Sequence, residues 1–400
     1  MKNDHWTACW RALGVVTLIL GLSACKGSLE FVGDPDAPPF SDGLRPQIQA
    51  SMSDLMVSAA VVVVRSPQGD WSAAFGQRAR GGIDPLRVDD HFRVGSVTKT
   101  WTGTVILQLV HERRIGLDDP VSLHLSGVPD GDRITIRHLL SMRSGLFNYS
   151  TDLAFNQSLD ERPERVFTVQ ELLDIGFAHP PYFAPGADYT YSNTNTLLLG
   201  QIIESKTGMP LADAFHSRLF APIGLSRTLY PPMNNTNLPA PFARGYQYGT
   251  NVETMLSEAL SPERQAAARN GSLQPTDTTL HSTSWGGAAG MGISTAPEMA
   301  TFVKAMISGG LLDTQLQAQR LASCQPIVPG SPDSASYCLG LAKFGTYYGH
   351  TGEIPGYNTF MGYDPTTDTT LVVMASMAAA PDGRAPANTI AMRVMQRLAE

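Results

Sequence analysis

Strand-forming sequence is confined to two stretches that lie far apart in the chain. Near the start, Ala59-Ala60-Val61-Val62-Val63-Val64 is a short, β-branched apolar run, and residues 71–75 follow it across the turn Ser66-Pro67-Gln68-Gly69-Asp70, the pattern of a hairpin. Near the end, residues 346–349, 357–363 and 369–376 read as strands separated by Gly or Asp-Pro turns, and a last helix is predicted over about 386–398. Between the two, from about 118 to 290, strand signals fade. Helical windows at 135–142, 168–177, 194–206 and 211–220 alternate there with Pro and Gly breaks. Sheet, helices, sheet implies a split antiparallel-sheet α/β domain over residues 51–400. Residues 51–117 and 291–400 form its α/β part, and 118–290 form a mostly helical inserted part.

The length permits one large domain or two, and with 42% hydrophobic and 16% charged residues in 400 the chain can bury a large core. Its formal net charge of −7, with Lys and Arg scattered, excludes a nucleic-acid partner, which needs a basic stripe. Nine His and four Cys show no ligand spacing, so no metal and no cofactor is expected.

The chemistry-bearing residues fall in three places. Behind Phe92-Arg93-Val94-Gly95, apolar positions Val97, Trp101, Val105 and Leu109 recur every four residues until Gly116, which predicts an amphipathic helix starting near Ser96. Ser96-Val97-Thr98-Lys99 then sets a hydroxyl and an amine on one helical face. A serine hydroxyl is a poor nucleophile at neutral pH, and a desolvated lysine with a lowered pKa can take its proton. Tyr191-Ser192-Asn193 lies in the loop before the helix predicted from 194. Tyr191 is a candidate proton shuttle and Asn193 a candidate hydrogen-bonding partner for a substrate amide. His350-Thr351-Gly352 closes a predicted strand that can pair with substrate at a cleft edge. Lys206-Thr207-Gly208 has a similar text but follows a helical stretch and reads as its Gly cap.

Phe92 to Lys99, Tyr191-Ser192-Asn193-Thr194-Asn195 and Gly349-His350-Thr351-Gly352 occur in the order of the β-lactamase-related, penicillin-recognising serine hydrolases, which the chain resembles from about Ser51 to its end. His before Thr-Gly, and Arg143-Ser144-Gly145-Leu146, are similar to the secreted D-alanyl-D-alanine carboxypeptidases of the class C-like branch. The resemblance implies an acyl-enzyme on Ser96, with Lys99 and Tyr191 sharing the proton work. It implies an oxyanion hole from the backbone amides of Ser96 and Glu353, and His350 and Thr351 on the substrate end. Phe155 and Trp285 match the family's apolar pocket, or else are core aromatics. The substrate would be a peptidoglycan stem peptide or another small acyl compound, and β-lactams would bind. One departure concerns the Arg that holds a terminal carboxylate in this branch: Ala342 stands there, with Lys343 beside it. An esterase or β-lactamase is therefore an alternative to the D,D-peptidase, and a non-catalytic penicillin-binding protein is a third reading.

The first 24 residues read as a signal peptide: Lys2 and Arg11, then an apolar stretch over 12–24 too short to span as a mature transmembrane helix. Leu22-Ser23-Ala24-Cys25 resembles the bacterial lipobox, so Cys25 is the expected lipidation site. The chain would then be an exported, membrane-anchored lipoprotein facing the cell envelope, with residues 25–50 as anchor and linker. Cys324 and Cys338 remain as a possible disulfide or as two separate thiols. Metabolic labelling with a fatty-acid probe is expected to mark the full-length protein and to leave a Cys25→Ala variant unlabelled.

Overall fold

A computed structural model of the chain describes residues 38–400 apart from 329, 332 and 333. The expected signal segment, Cys25 and the first half of the expected linker lie outside the described residues. Among the described residues no helix is long and apolar enough to cross a membrane.

The main sheet has eight strands: β1 (Ala59–Ser66), β2 (Gly69–Gly76), β3 (Gln325–Pro326), β4 (Ser336–Tyr337), β5 (Ala342–Phe344), β6 (Tyr347–Ile354), β7 (Tyr357–Asp364) and β8 (Thr369–Ala375). Their spatial order is β2-β1-β8-β7-β6-β5-β4-β3, all neighbours antiparallel. The first strands of the domain therefore pair with the last, with Val62 opposite Val373 and Val63 opposite Val372. Successive side chains alternate between faces. Val61 and Val63 join Met361, Val372 and Met374 in one core, whereas Val62 and Val64 join Phe360, Leu371 and Val373 in a second. Both faces are covered, which explains an unbroken apolar run where a half-solvated strand would alternate.

Five helices organise the layers: α1 (Leu44–Asp54), α2 (Thr98–His111), α3 (Asn193–Thr207), α4 (Ala296–Ser308) and α5 (Pro386–Leu398). On one face α1 presents Leu44, Ile48 and Met52, and α5 presents Ile390, Ala391 and Val394, both at helical spacing. On the other, α4 packs on the sheet, and α2 and α3 lie against each other between the sheet and the inserted helices. α2 is buried along nearly its whole length, and its buried threonines Thr100, Thr102 and Thr104 donate to backbone carbonyls. Trp101 is fully buried on it, edge-on to Phe215, Phe220 and Phe302 at 5.9, 4.9 and 6.4 Å.

The structure departs from the sequence expectations at four points. The stretch read as linker up to residue 50 contains α1, whose polar outer face hides its periodicity, and Phe40 is already buried. Ser96 does not open the long helix; it sits in a tighter 3-10 turn, Gly95–Val97, that leads into α2. The helix expected over 211–220 is an α-helical turn, Leu211–Phe215, continued by a wider π-helical turn, His216–Phe220. The strand expected to end at 349 runs on through Ile354, so His350-Thr351-Gly352 lies mid-strand.

Removing the Trp101 ring leaves a large void under the nucleophile's helix. Trp101→Ala is expected to lower stability by about 3–5 kcal/mol, read as a drop in the urea midpoint. Trp101→Phe keeps most of the packing and deletes an indole N–H that has no hydrogen-bond partner, so its loss is expected to be much smaller.

Candidate active site

The turn that carries Ser96 is fixed from both sides. Val94 N donates to Gly292 O at 2.9 Å, Thr98 Oγ1 donates to Gly95 O at 2.7 Å, and Gly292 N donates to Thr98 Oγ1 at 3.0 Å. Gly95 has φ of +52°, and a Cβ there would lie 2.8 Å from both N and O of Glu353. A Cβ on Gly352 would collide with Val94 O and come within 3.3 Å of Ser96 N. The two glycines let β6 lie against the turn, bringing the amides of Ser96 and Glu353 to one place beside the hydroxyl. Two backbone amides brought close together are what an oxyanion hole would need.

Lys99 lies behind the hydroxyl. Its Nζ is hydrogen-bonded to Ser96 Oγ at 3.0 Å and to Ala289 O at 3.0 Å, and the side chain is fully enclosed. Burial without a carboxylate partner drives the amine's pKa well below its ordinary 10.5, because the charged form cannot be solvated there. Lys99 Nζ also sits 4.7 Å from the centre of the Tyr191 ring. The Tyr191 hydroxyl is hydrogen-bonded to the Ser96 side chain, which eases its ionisation slightly, but burial dominates and pushes the phenol up. The surroundings thus disfavour both the Lys99 ammonium and a Tyr191 phenolate, and both groups are hydrogen-bonded to the Ser96 hydroxyl.

His350 is fully buried and forms no part of the substrate cavity's lining. Its Nδ1 lies 2.5 Å from Thr351 O, an atom that can only accept, so Nδ1 carries the proton. Nε2, 3.2 Å from the Tyr337 hydroxyl, then accepts that group's proton. Burial first, and the nearby Lys99 second, push the imidazole down to about 3. Both ring nitrogens are engaged within the protein, so the contact expected between the His350 side chain and the substrate end is not what the structure presents. Thr351, half-buried, is likewise absent from the cavity lining. Next to Tyr337, Cys338 is bridged to Cys324. Arg320, fully buried, clamps the same segment to α2: Nε donates to Leu339 O at 3.0 Å, Nη1 to Thr104 Oγ1 at 3.0 Å and Nη2 to Gly340 O at 3.3 Å.

In front of Ser96 lies a cavity of about 180 Å³. Phe155, Leu159, Trp285 and Ile354 give it an apolar wall, with Phe155 and Trp285 edge-to-face at 6.0 Å. The two aromatics left open between pocket and core thus line the cavity. Asn193, Ser150, Asn156 and Asn251 give it a polar side, and Glu353 is the one charged residue along it. Ser150, Asn156 and Asn251 escaped sequence reading because they come from loops and separate helices that carry no motif. Lys206-Thr207-Gly208 lies elsewhere, Gly208 capping α3 in the left-handed conformation.

Residues 47–394 match the Beta-lactamase family model. The chain belongs to the β-lactamase family. It is 27% identical to penicillin-binding protein 4* of Bacillus subtilis over 317 residues, 75% of this chain and 64% of that protein. It is 31% identical to the esterase EstB of Burkholderia gladioli over 191 residues, 44% and 48% of the two chains. The chain therefore spans less than two thirds of these relatives. Among solved structures, a D-stereospecific amidohydrolase from a Streptomyces species superposes with a TM-score of 0.73 at 30% identity, covering 88% of this chain and 97% of that one.

The enclosure of Lys99 has a direct kinetic consequence. Phosphonylation of Ser96 by a fluorophosphonate, followed by intact mass, is expected to speed up as pH rises through a midpoint well below 10.5, because only the free amine can take the serine proton. Lys99→Met is expected to slow that reaction by about 10²–10⁴-fold and to abolish the rise.

Proposed function

We propose that this β-lactamase-family protein is a serine hydrolase acylated on Ser96, cleaving amide or ester bonds of small D-amino-acyl compounds whose leaving end carries no negative charge. In this reading Lys99 accepts the Ser96 proton as Oγ attacks the carbonyl carbon. The developing oxyanion is held by the amides of Ser96 and Glu353, and the Tyr191 phenol protonates the departing nitrogen or oxygen. Water, activated through the same groups with coupled titration, then hydrolyses the ester and restores Ser96.

The observation that carries the choice of leaving end is the cavity's charge. None of its lining residues is cationic, and Glu353 is acidic. Ala342, at the position where the sequence comparison expected an Arg, is buried in β5 opposite Gly349 and Tyr337. The Lys343 ammonium lies 5.2 Å over the Tyr348 ring instead of in the cavity. A terminal carboxylate would meet no bidentate partner. The D-alanyl-D-alanine carboxypeptidase reading drawn from the sequence is thereby less favoured than amidase or esterase chemistry, in line with the names of two of the similar proteins. β-Lactams are included in the same proposal as acylating agents of Ser96, with ring strain driving the attack even though the carboxylate on their leaving side meets no cationic partner in the cavity. The proposal also includes a lipid on Cys25, which would hold the body at an envelope surface among peptidoglycan-derived peptides.

The test is hydrolysis of an N-acylated D-alanyl-D-alanine peptide and of its C-terminal amide, with intact mass after exposure to a penicillin, for wild type and Ser96→Ala. Wild type is expected to form an adduct that the variant lacks, and to prefer the amidated peptide about tenfold or more, as loss of one unmatched charge implies. Preference for the free carboxylate would restore the carboxypeptidase reading.

A further inference from the structure

The carboxamides around the cavity have orientations dictated by their neighbours. Asn156 Nδ2 lies 3.0 Å from Ser150 O and 2.7 Å from Asp152 O, both pure acceptors, so the nitrogen must be there and both its hydrogens are used inside the protein. Asn251 Nδ2 donates to Asp160 Oδ1 at 2.7 Å, and the backbone amides of Asn251 and Val252 donate to the same carboxylate. Asn193 is fixed by a longer chain. Its backbone N donates to Asn148 Oδ1, Ser150 Oγ donates its single proton to that same oxygen, and Ser150 Oγ therefore accepts from Asn193 Nδ2 at 2.9 Å.

Asn156 therefore has only its carbonyl oxygen left, whereas Asn193 and Asn251, each with one N–H engaged, keep a carbonyl oxygen and one further N–H. Asn156, Asn193 and Asn251 all line the cavity, and none of the three oxygens is among the sealed, unpartnered polar atoms of the protein. Asn156 is itself 7% exposed, so the opening its oxygen sees is the cavity. The polar side of the cavity thus offers acceptors, with the Asp160 carboxylate behind Asn251 and Glu353 on the lining, and no cationic side chain opposes them. A site that presents oxygens and negative charge selects a hydrogen-rich cation.

We propose that the Asn156 and Asn251 end of the cavity is a subsite for a protonated amine on the acyl part of the substrate, so that amino-acyl amides with a free amino group are favoured over their N-acylated counterparts. This rests on the hydrolase reading above and specifies its acyl half. An ammonium placed there donates to the oxygens of Asn156 and Asn251, while the side chain of the same residue packs on Phe155, Leu159 and Trp285. N-acylation removes the charge and adds bulk where the oxygens stand.

Calorimetric titration of the Ser96→Ala protein with D-phenylalaninamide and with N-acetyl-D-phenylalaninamide tests the subsite without requiring turnover. The free amine is expected to bind about tenfold tighter or more, the range of a charge-assisted hydrogen bond. An added Asn156→Leu substitution, with its fold checked by circular dichroism and melting, is expected to bring the two ligands within about threefold of each other. Equal binding, tighter binding of the N-acetyl compound, no binding of the amine, or a preference that survives Asn156→Leu in a folded protein would overturn the proposal. Failure of Ser96 to accept any acyl group would instead count against the hydrolase reading alone.

Discussion

An amine buried without a counter-ion is the constraint around which this molecule is arranged. Holding an ammonium in the interior costs several kcal/mol, and burial accordingly shifts the Lys99 amine strongly toward its neutral form. The enclosure comes from packing: α2 is covered on all sides, Ala289 supplies a carbonyl, and the Tyr191 ring closes the remaining side. The same exclusion of water keeps Tyr191 a phenol and His350 a neutral imidazole. In the proposed mechanism Lys99, hydrogen-bonded to Ser96, is the amine whose protonation decides whether that serine can react.

Two further cations are treated the same way. Arg93, directly before the nucleophile's turn, is buried and donates to Thr236 O, Thr279 O and Thr283 Oγ1. Arg320 is buried against carbonyls and a threonine hydroxyl, and burial pulls it down to about 9. None of these bonds is to a carboxylate. Backbone carbonyls are rigidly placed, so each guanidinium fixes the relative position of chain segments far apart in sequence. One ties the entry to Ser96 to the loop before Trp285, and the other ties the strand that carries Tyr337 to α2.

Much of this was legible in the sequence. The β-branched run at 61–64 marked a strand buried on both faces, and periodicity located α3, α5 and the helix Val169–Phe177, which begins with the reciprocal cap between Thr168 and Glu171. Ser96 and Lys99 could be paired because they stand three residues apart, and Tyr191 joins them through its Tyr-x-Asn stretch and the family resemblance; the structure brings all three side chains together. What could not be read is contributed by tertiary contact. Asn156 and Asn251 acquire direction only through the acceptors that surround them, and Tyr337 reaches His350 only because β4, β5 and β6 lie side by side. The helix α1 was missed because its charged and polar outer face and the Pro at position 46 dilute its periodicity, and packing against α5 supplies the stability that propensity does not.

The close approach of β6 to the turn at Gly95 bears on when in the life of the chain the enzyme can act. In the proposed mechanism one amide of the anion-binding pair belongs to residue 96 and the other to residue 353, and the strand bearing the second is held through β7 and β8 to β1. The nucleophile is synthesised early, but its partner amide is synthesised near the end, and both are positioned only once the first and last strands have joined. On that reading a chain truncated before residue 353 carries Ser96, Lys99 and Tyr191 without the second amide. The proposed chemistry would then belong to the completed molecule, in which the first and last strands of the domain have paired.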